Sequence, residues 1–259
     1  MTNAPSILQS FRLDHKIALV TGSSSGIGLS IAIALAQAGA TVACHGNSRP
    51  AEAPAEAIRK DGGSASAFSA DLSDPTGAEH LFNAVIAHYG HIDILVNNAG
   101  TILRHDAIDY PFEDWQKVMQ VNLNSVFQLS QLVGRGLIAR NSPGKIVNIA
   151  SLLSFQGGIR VPAYAASKGG VAQLTKALAN EWASKSIQVN AIAPGYIATG
   201  NTTALRNDET RNRQILERIP AGRWGEPTDI AATAVFLSSP AADYITGAIL
   251  NVDGGWLAR

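Results

Sequence analysis

The sequence predicts a single α/β domain of the doubly wound type, with a mostly parallel sheet and helices on both faces. Short runs rich in Val and Ile recur along the chain, and they are continuous rather than alternating, which is typical of strands covered on both faces. Segments with helical spacing lie between these runs. Because strand and helix alternate, and no linker or internal repeat divides the chain, residues 1–259 are predicted to form one domain.

The individual elements follow from the same two patterns. The predicted strands are residues 17–20, 41–44, 92–96, 145–149, 187–192 and 249–252, with residues 65–70 as a weaker candidate. The predicted helices are residues 27–38, 75–89, 112–139, 163–183 and 229–237. In this architecture, ligand sites gather at the carboxyl edge of the sheet, so the residues directly after each strand are the first candidates for function.

Residues 195–223 deviate most from the alternation of strands and helices. The segment is polar, has Gly200 and Asn201 near its start, and lies between the last long strand and the last helix. Insertions after the carboxyl end of a strand often cover a site in such sheets. We interpret the segment as a mobile lid over the substrate, and a passive surface helix is the alternative.

Composition limits the class of partner. The chain has 20 basic and 20 acidic residues and is 15% charged, so it carries no global basic field for nucleic acid or anionic lipid. Its single cysteine, Cys44, excludes an intrachain disulfide and leaves no cysteine cluster for a metal, which fits a reducing compartment. Residues 1–15 lack a secretory pattern, and no apolar stretch reaches the ~20 residues that a bilayer requires. We therefore expect a cytoplasmic protein that binds a small molecule, with no membrane segment and no metal.

A glycine-rich turn joins the first strand to the first helix. Glycines let the backbone approach a phosphate closely, and the N-terminus of a helix favours negative charge. This turn is therefore a candidate for binding the pyrophosphate of a dinucleotide, although a tight structural turn is the simpler alternative. The candidate residues are Gly22, Ser24, Ser25, Gly26, Ile27 and Gly28.

Two further segments end strands at the same edge. Asn98, Ala99 and Gly100 come after the strand at 92–96, and small residues there let a cofactor pass close to the backbone, although Asn and Gly also favour turns. Asp71 and Leu72 come after the weak third strand. They are interpreted either as a helix entry or as an acceptor for an adenine amino group.

Tyr164 and Lys168 begin the long helix after Pro162 and share one helix face. A nearby ammonium favours the phenolate, so we expect Lys168 to lower the pKa of Tyr164 toward working pH, as acid/base catalysis requires. A surface aromatic/lysine pair is the alternative. Ser151, directly after the strand at 145–149, supplies a hydroxyl at the same edge, although alone it would be interpreted as a cap.

Together these motifs resemble the short-chain dehydrogenase/reductase family along residues 16–255. The match covers the glycine motif at 21–28, the motif at 97–100 and the catalytic set of Ser151, Tyr164 and Lys168. The family's nicotinamide-side loop corresponds to Pro194, Gly195, Ile197 and Thr199. The resemblance implies a Rossmann-type domain that transfers a hydride between NAD(P) and a hydroxyl or keto carbon.

The resemblance also implies roles for single residues. Tyr164 donates or accepts the proton, Lys168 holds the nicotinamide ribose, Ser151 positions the substrate oxygen and Asn122 anchors a water for proton relay. Arg223 matches a common family pattern and is assigned to structure. A homotetramer is implied, with the helices at 112–139 and 163–183 between subunits. The complete catalytic set argues against a nucleotide sensor without turnover and against a purely structural protein.

Coenzyme preference in this fold depends on the residues directly after the second strand. An acid there favours NAD, and a basic or polar pocket accepts the 2'-phosphate of NADP. Here the residues are Gly46, Asn47, Ser48 and Arg49, with glycine where NAD-type members place aspartate. We therefore expect NADP(H), and we expect an aspartate at position 46 to shift the preference toward NADH. Arg49 as a solvated surface residue is the alternative.

Residues 151–168, 218–225 and 252–259 resemble one branch of the family most closely. Its members act on keto-deoxy sugar acids of the 2-keto-3-deoxygluconate type from pectin or alginate uronates, and many use NAD. Gluconate 5-dehydrogenases, other sugar or polyol dehydrogenases and 3-oxoacyl thioester reductases are the alternatives. A carboxylate substrate needs a cation, and guanidinium binds carboxylate bidentately. Arg160 and Arg104 are the candidates, with surface or subunit ion pairs as the other interpretation.

Overall fold

A computed structural model describes residues 6–259, and residues 1–5 of the predicted domain lie outside the described residues. The strands of the described chain form a seven-stranded sheet in the order β3-β2-β1-β4-β5-β6-β7, and every pairing is parallel. The predicted doubly wound α/β fold is confirmed. The strands are β1 (Ile17–Val20), β2 (Thr41–Gly46), β3 (Ser64–Ser69), β4 (Ile94–Asn97), β5 (Gly144–Ile149), β6 (Ile187–Pro194) and β7 (Ile249–Val252).

The strand order reverses direction beside β1. The chain runs outward from β1 through β2 to β3, then returns to place β4 on the other side of β1. Ala18, Leu19 and Val20 pair with Ile94, Leu95 and Val96 across this junction. In open parallel sheets, the crevice outside the carboxyl ends of the strands at such a junction is where ligands bind. The segments after β1 and β4 therefore meet at the expected site.

Helices cover both faces of the sheet. They are α1 (Gly26–Gln37), α2 (Glu52–Lys60), α3 (Gly77–Tyr89), α4 (Phe112–Met119), α5 (Ser125–Ala139), α6 (Pro162–Trp182), α7 (Thr203–Asn207), α8 (Glu209–Arg218) and α9 (Pro227–Ser238). Helices α4 and α5 fall within the single predicted helix at 112–139, and a π-helical turn at Gln120–Asn124 joins them. Helix α2 was not predicted. Over residues 6–259, no helix has the length and apolar content that a membrane crossing needs.

Two apolar clusters fill the space between the sheet and its helices. Successive residues of β1 point to opposite faces, so Ala18 and Val20 join one cluster and Leu19 joins the other. Helices α1 and α9 close the first cluster, whereas α3 and α5 close the second. A smaller cluster joins Ile215 and Ile219 of the segment at 195–223 to Leu152 and Trp256. Both faces of the sheet are thus packed, and the free polar groups gather at its carboxyl edge.

Candidate active site

The glycine-rich turn adopts a conformation that requires glycine. Gly22 and Gly26 have φ of 64° and 57°, in the left-handed region. A Cβ on Gly22 would lie 2.9 Å from the Cα of Ala99, so the turn also packs tightly against the segment after β4. Ser25 precedes α1 in extended conformation. Within the described chain, its side chain makes no capping hydrogen bond to the helix. The first backbone N–H groups of α1 are therefore available to an anion.

Asn98 holds the turn from the neighbouring strand end. Its Nδ2 donates to the carbonyl oxygens of Thr21 at 2.8 Å and Gly22 at 3.1 Å. In return, the Thr21 hydroxyl accepts from the backbone N–H groups of Asn98 and Ala99. A Cβ on Gly28 would lie 2.3 Å from Asn98 Nδ2 and from the Gly22 carbonyl oxygen. Helix α1 can therefore pack this closely against the turn only with glycine at position 28. The side-chain amide of Asn98 is thus used in hydrogen bonds to the turn. A cofactor could approach the backbone of Ala99 and Gly100 instead.

The segment after β2 does not accommodate the aspartate that the sequence suggested as a substitution. Gly46 is buried, and a Cβ there would lie 2.2 Å from the carbonyl oxygen of Arg49. An aspartate at position 46 would thus force the following turn to move, and the expected shift toward NADH stays a prediction. Asn47, Ser48 and Arg49 are exposed beyond the strand.

Asp71 and Leu72 face different surroundings. Hydrogen bonds from Ser73, and then from Asn47, lower the pKa of Asp71, so its exposed carboxylate is ionised at neutral pH and can accept from an amino group. Leu72 is buried in the apolar cluster beneath α3 and α5. Its predicted cofactor contact is therefore limited to its backbone.

Burial dominates the ionisation of Tyr164. The pKa of Tyr164 is raised above its ordinary value because burial disfavours the phenolate, while a hydrogen bond from Ser151 and the positive charge of Arg104 act in the opposite direction. Lys168 Nζ lies 5.7 Å from the centroid of the Tyr164 ring, as helix spacing predicts. The expectation that Lys168 would bring the pKa of Tyr164 down is wrong in this structure, and Tyr164 is protonated at neutral pH.

Lys168 is held in place by the strand before Ser151. Its Nζ donates to the backbone carbonyl of Ile149 at 2.6 Å, and only 4% of the residue is exposed. Burial lowers the pKa of Lys168 to about 8. An ammonium has three N–H donors, so donors remain for a ligand after the bond to Ile149.

Ser151 begins a short 3₁₀ turn, Leu152–Ser154. Its hydroxyl accepts from the Leu153 N–H at 3.2 Å, and its own N–H donates to the Ser154 hydroxyl. Ser154 in turn donates to the carbonyl of Lys168 at 2.7 Å. The loop that presents Ser151 is thereby fixed to α6, which presents Tyr164 and Lys168.

The side chain of Asn122 has its hydrogen bonds already satisfied. It lies in the π-helical turn, fully buried, with Oδ1 accepting from the Thr101 N–H at 2.8 Å. Its Nδ2 donates to the Thr101 carbonyl and to the Ser167 hydroxyl. The side chain therefore positions the segment after β4, and a relay water at this residue would need to bind the main chain.

The loop after β6 closes the opposite side of the site. Pro194 ends the strand, and a Cβ on Gly195 would lie 2.6 Å from the Cα of Asp253. Ile197 is buried, so its predicted cofactor contact is not made by an exposed side chain. Thr199 reaches the glycine-rich turn, because a Cβ on Gly26 would lie 3.5 Å from its Cγ2. The loops after β1 and β6 are thus neighbours.

The arginines singled out from sequence have different partners. Arg104 is close enough to Tyr164 for its charge to lower the pKa of the phenol. Arg160 has a left-handed backbone, and its Nε lies 3.0 Å from the carboxylate of Asp106. Arg223 forms a bidentate pair with Asp229 at the start of α9, so its assignment to structure is confirmed.

Two residues near the site escaped the sequence analysis. His45 at the end of β2 contacts the glycine-rich turn, and Arg206 in α7 donates to the carbonyl of Thr199 at 3.2 Å. Within the described chain, Arg206 Nε is buried without a hydrogen-bond partner. A polar residue at the end of an apolar strand was the only signal for His45. Among residues 6–259, there is no cluster of His, Cys, Asp or Glu suited to a metal.

Known proteins share this sequence and fold over almost the whole chain. Residues 22–257 match the family model described as enoyl-(acyl carrier protein) reductase. A 2-dehydro-3-deoxy-D-gluconate 5-dehydrogenase of Bacillus subtilis is 55% identical, over 96% of this chain and 97% of its own. A candidate 2-deoxy-D-gluconate 3-dehydrogenase of Agrobacterium tumefaciens, crystallised with bound NADP, is 56% identical with a TM-score of 0.90, over 96% of this chain and 99% of its own. A gluconate 5-dehydrogenase of Burkholderia cenocepacia, in complex with NADP and tartrate, is 40% identical with a TM-score of 0.91, over 97% and 99%.

Proposed function

Because the chain belongs to the short-chain dehydrogenase/reductase family, we propose that it interconverts a keto and a hydroxyl group on a 2-keto-3-deoxygluconate type sugar acid, with NADP(H) as coenzyme. The observation that carries the chemistry is the meeting of Tyr164, Ser151 and Lys168 beside the glycine-rich turn. The substrate class rests on the 55% identity to the Bacillus subtilis enzyme. Uronate breakdown is the class of degradation that would supply such an acid.

The residues around the turn fit a dinucleotide. Gly22 and Gly28 leave no room for a Cβ, and the uncapped start of α1 presents N–H donors where a pyrophosphate would lie. Gly26, Ile27, Ser24 and Ser25 complete this cradle. The adenine end would meet Asp71, and the nicotinamide end would meet the backbone of residues 98–100, 194–195 and 199. When bound, the nicotinamide ring supplies or accepts the hydride.

Tyr164 is proposed as the acid in the direction of reduction. Its raised pKa keeps the hydroxyl protonated at neutral pH, which is the form that donates a proton to a carbonyl oxygen. The Ser151 hydroxyl, which is near enough to Tyr164 to lower the pKa of the phenol, would orient that oxygen. Lys168 would hold the nicotinamide ribose with the N–H donors that Ile149 does not use. In the direction of oxidation, Ser151 and Arg104 are the groups that favour the phenolate.

NADP(H) is proposed from the residues beyond β2. Arg49 and Ser48 are exposed where a 2'-phosphate would lie, and no carboxylate is present at residues 46–49. The relatives from Agrobacterium and Burkholderia, both crystallised with NADP, support the same choice.

Arg104 is proposed as the main partner of the substrate carboxylate. It is exposed, and its charge acts on Tyr164, so an anion that it binds would lie near the reacting carbon. Arg160 is already neutralised by Asp106, which leaves it the weaker candidate. Residues 195–223, with α7 and α8, are proposed as the lid. A cytoplasmic homotetramer with α4, α5 and α6 between subunits completes the proposal.

The test is a panel of substrates and coenzymes with the purified protein. We expect the highest kcat/KM for 2-dehydro-3-deoxy-D-gluconate with NADP, measured by the absorbance of the reduced nicotinamide. D-Gluconate tests the second candidate, a gluconate 5-dehydrogenase, which the likeness to the Burkholderia enzyme favours. A 3-oxoacyl thioester is the control from another substrate class. Turnover of the thioester and of no sugar acid would overturn the proposal.

A further inference from the structure

His45 is a buried imidazole with a backbone group at each ring nitrogen. The residue is 2% exposed at the end of β2. Its Nδ1 accepts from the Gly22 N–H at 3.1 Å, and its Nε2 lies 3.1 Å from the carbonyl oxygen of Ala70. A backbone N–H can only donate and a carbonyl can only accept, so Nδ1 must be unprotonated and Nε2 must carry the hydrogen. These two partners admit one neutral tautomer.

The backbone of His45 holds the same turn. Its carbonyl accepts from the Ser23 N–H at 2.9 Å, and its N–H donates to the Ser23 hydroxyl at 2.9 Å. One residue of β2 therefore fixes both Gly22 and Ser23, through its side chain and its main chain. Ser23 is fully buried, so this contact holds the turn rather than a ligand.

The imidazole connects two parts of the proposed dinucleotide site. Gly22 opens the glycine-rich turn in a left-handed conformation and packs on Ala99. Ala70 directly precedes Asp71, the candidate acceptor for the adenine amino group. We propose that His45 is a positioning residue that sets the distance between the pyrophosphate cradle and the adenine wall, and that the dinucleotide binds tightly only while this imidazole is neutral. The inference rests on the proposed coenzyme site.

Protonation would reverse the polarity of one contact. An imidazolium donates from both nitrogens, so Nδ1 would present a hydrogen to the Gly22 N–H. Burial lowers the pKa of His45, and the bond to Ala70 opposes this only in part, so the ring is neutral at pH 7 and charges as the pH falls below its ordinary range. Binding is therefore expected to be complete above that range and to weaken on acidification.

The other titratable groups around His45 keep their charge over this range. On the turn, Thr21 and Ser23 carry only hydroxyls. On β2, burial raises the pKa of the Cys44 thiol to about 11, so it stays neutral. After β3, the pKa of Asp71 is lowered, so it stays ionised. The guanidinium groups on this side belong to Arg49, after β2, and to Arg59 of α2.

The experiment compares His45→Asn, His45→Leu and wild type by titrating each full-length protein with NADPH and with NADH from pH 5 to pH 8. NADH is included because the 2'-phosphate of NADPH itself titrates near pH 6. Asparagine places an oxygen acceptor near the Nδ1 position and does not titrate, whereas leucine leaves the half-buried Gly22 N–H unpaired. An unpaired buried donor costs about 1–3 kcal/mol, or roughly fivefold to a hundredfold in binding.

For His45→Leu we expect Kd to rise by about tenfold at every pH for both coenzymes. For His45→Asn we expect a Kd near that of wild type at pH 8 and no loss of NADH binding on acidification. Persistence of the acid loss in His45→Asn, or wild-type binding by His45→Leu, would overturn the inference. If leucine prevents folding, the pH profile of His45→Asn decides alone, and failure of both to fold would show a purely structural role. Absence of dinucleotide binding by wild type at every pH would instead overturn the proposed function.

Discussion

The turn after β1 and the segment at 195–223 face each other across the site, and they are built in different ways. In the turn, buried Thr21 and His45 exchange hydrogen bonds with backbone groups, and Asn98 joins them from β4. In the segment, every residue of α7 is at least partly exposed, and α8 buries Ile215. The proposed coenzyme side is thus specified by backbone shape and close packing, whereas the proposed lid has a larger share of exposed side chains. Substitutions should act through packing on one side and through charge on the other.

The sharpest test of where the chemistry lies is Tyr164→Phe. The change removes the ionisable hydroxyl and keeps the ring on α6, so we expect turnover to fall at least ~100-fold, within the range of acid/base catalysis, with coenzyme binding retained. Steady-state kinetics and coenzyme titration measure the two effects separately. Near-normal turnover would falsify the assignment of Tyr164 and would move the chemistry toward the segment at 195–223.

Lys168→Met tests whether the buried ammonium of Lys168 makes the stability of the protein depend on pH. Burial places the pKa of Lys168 at about 8, below its unfolded value, so the native state holds fewer protons than the unfolded state between about pH 8 and pH 10.5. The stability of wild type should therefore rise with pH in this window. Methionine removes the penalty of a buried charge, which amounts to about 3 kcal/mol at pH 7.

Urea unfolding at pH 7 and at pH 10 measures this difference. We expect the variant to be the more stable protein at pH 7 and its advantage to shrink as the pH rises. An advantage that does not change with pH would mean that the ammonium is well solvated in the native state.

Alanine at two glycines compares the packing of the two regions directly. Gly28→Ala places a Cβ 2.3 Å from Asn98 Nδ2, so we expect a loss of about 1–3 kcal/mol in unfolding free energy together with weaker coenzyme binding. Gly200→Ala is the matched control, because no atom of the described chain lies within 4 Å of its Cβ. Equal losses in both variants would mean that the segment at 195–223 is packed as tightly as the turn.

The last comparison concerns substrate affinity. Arg104→Leu should raise KM for a sugar acid by roughly tenfold to a hundredfold, since a charge-assisted hydrogen bond is worth about 1.5–3 kcal/mol. KM for a neutral keto sugar should change little. Arg160→Leu is the control, and we expect less effect because Asp106 already neutralises Arg160. A larger loss with Arg160→Leu, confined to acids, would reverse the two assignments.

Local patterns predicted most of the frame. The limits of β1 and β7 were predicted to the residue. For β1 the reason is that a buried parallel strand is a continuous apolar run. Helix α2 was missed because its buried residues are Pro54, Ala55 and Ile58, a weak apolar stripe among charges. The π-helical turn between α4 and α5 changes the spacing within one apolar pattern, and sequence periodicity does not resolve it.

The sequence predicted which candidate residues the fold brings together, and it did not predict their electrostatics. Motif and spacing brought Ser151, Tyr164 and Lys168 together correctly. The sign of the pKa shift at Tyr164 depends on burial by distant parts of the chain, which spacing does not express. The close approach of the Arg49 carbonyl to Gly46 likewise depends on how the following turn folds back, and no single residue predicts it.

The bonds from Asn98 to the turn have a consequence for how the protein is made. Asn98 lies 77 residues beyond Thr21, so the turn closes only after β4 has docked beside β1. Such a non-local contact must meet its loop-closure cost before it stabilises anything, which slows folding. At the usual pace of translation, roughly 4 to 15 s separate the synthesis of these two residues. During that interval the turn lacks its hydrogen bonds from Asn98, so a dinucleotide can assist folding only after β4 has been made.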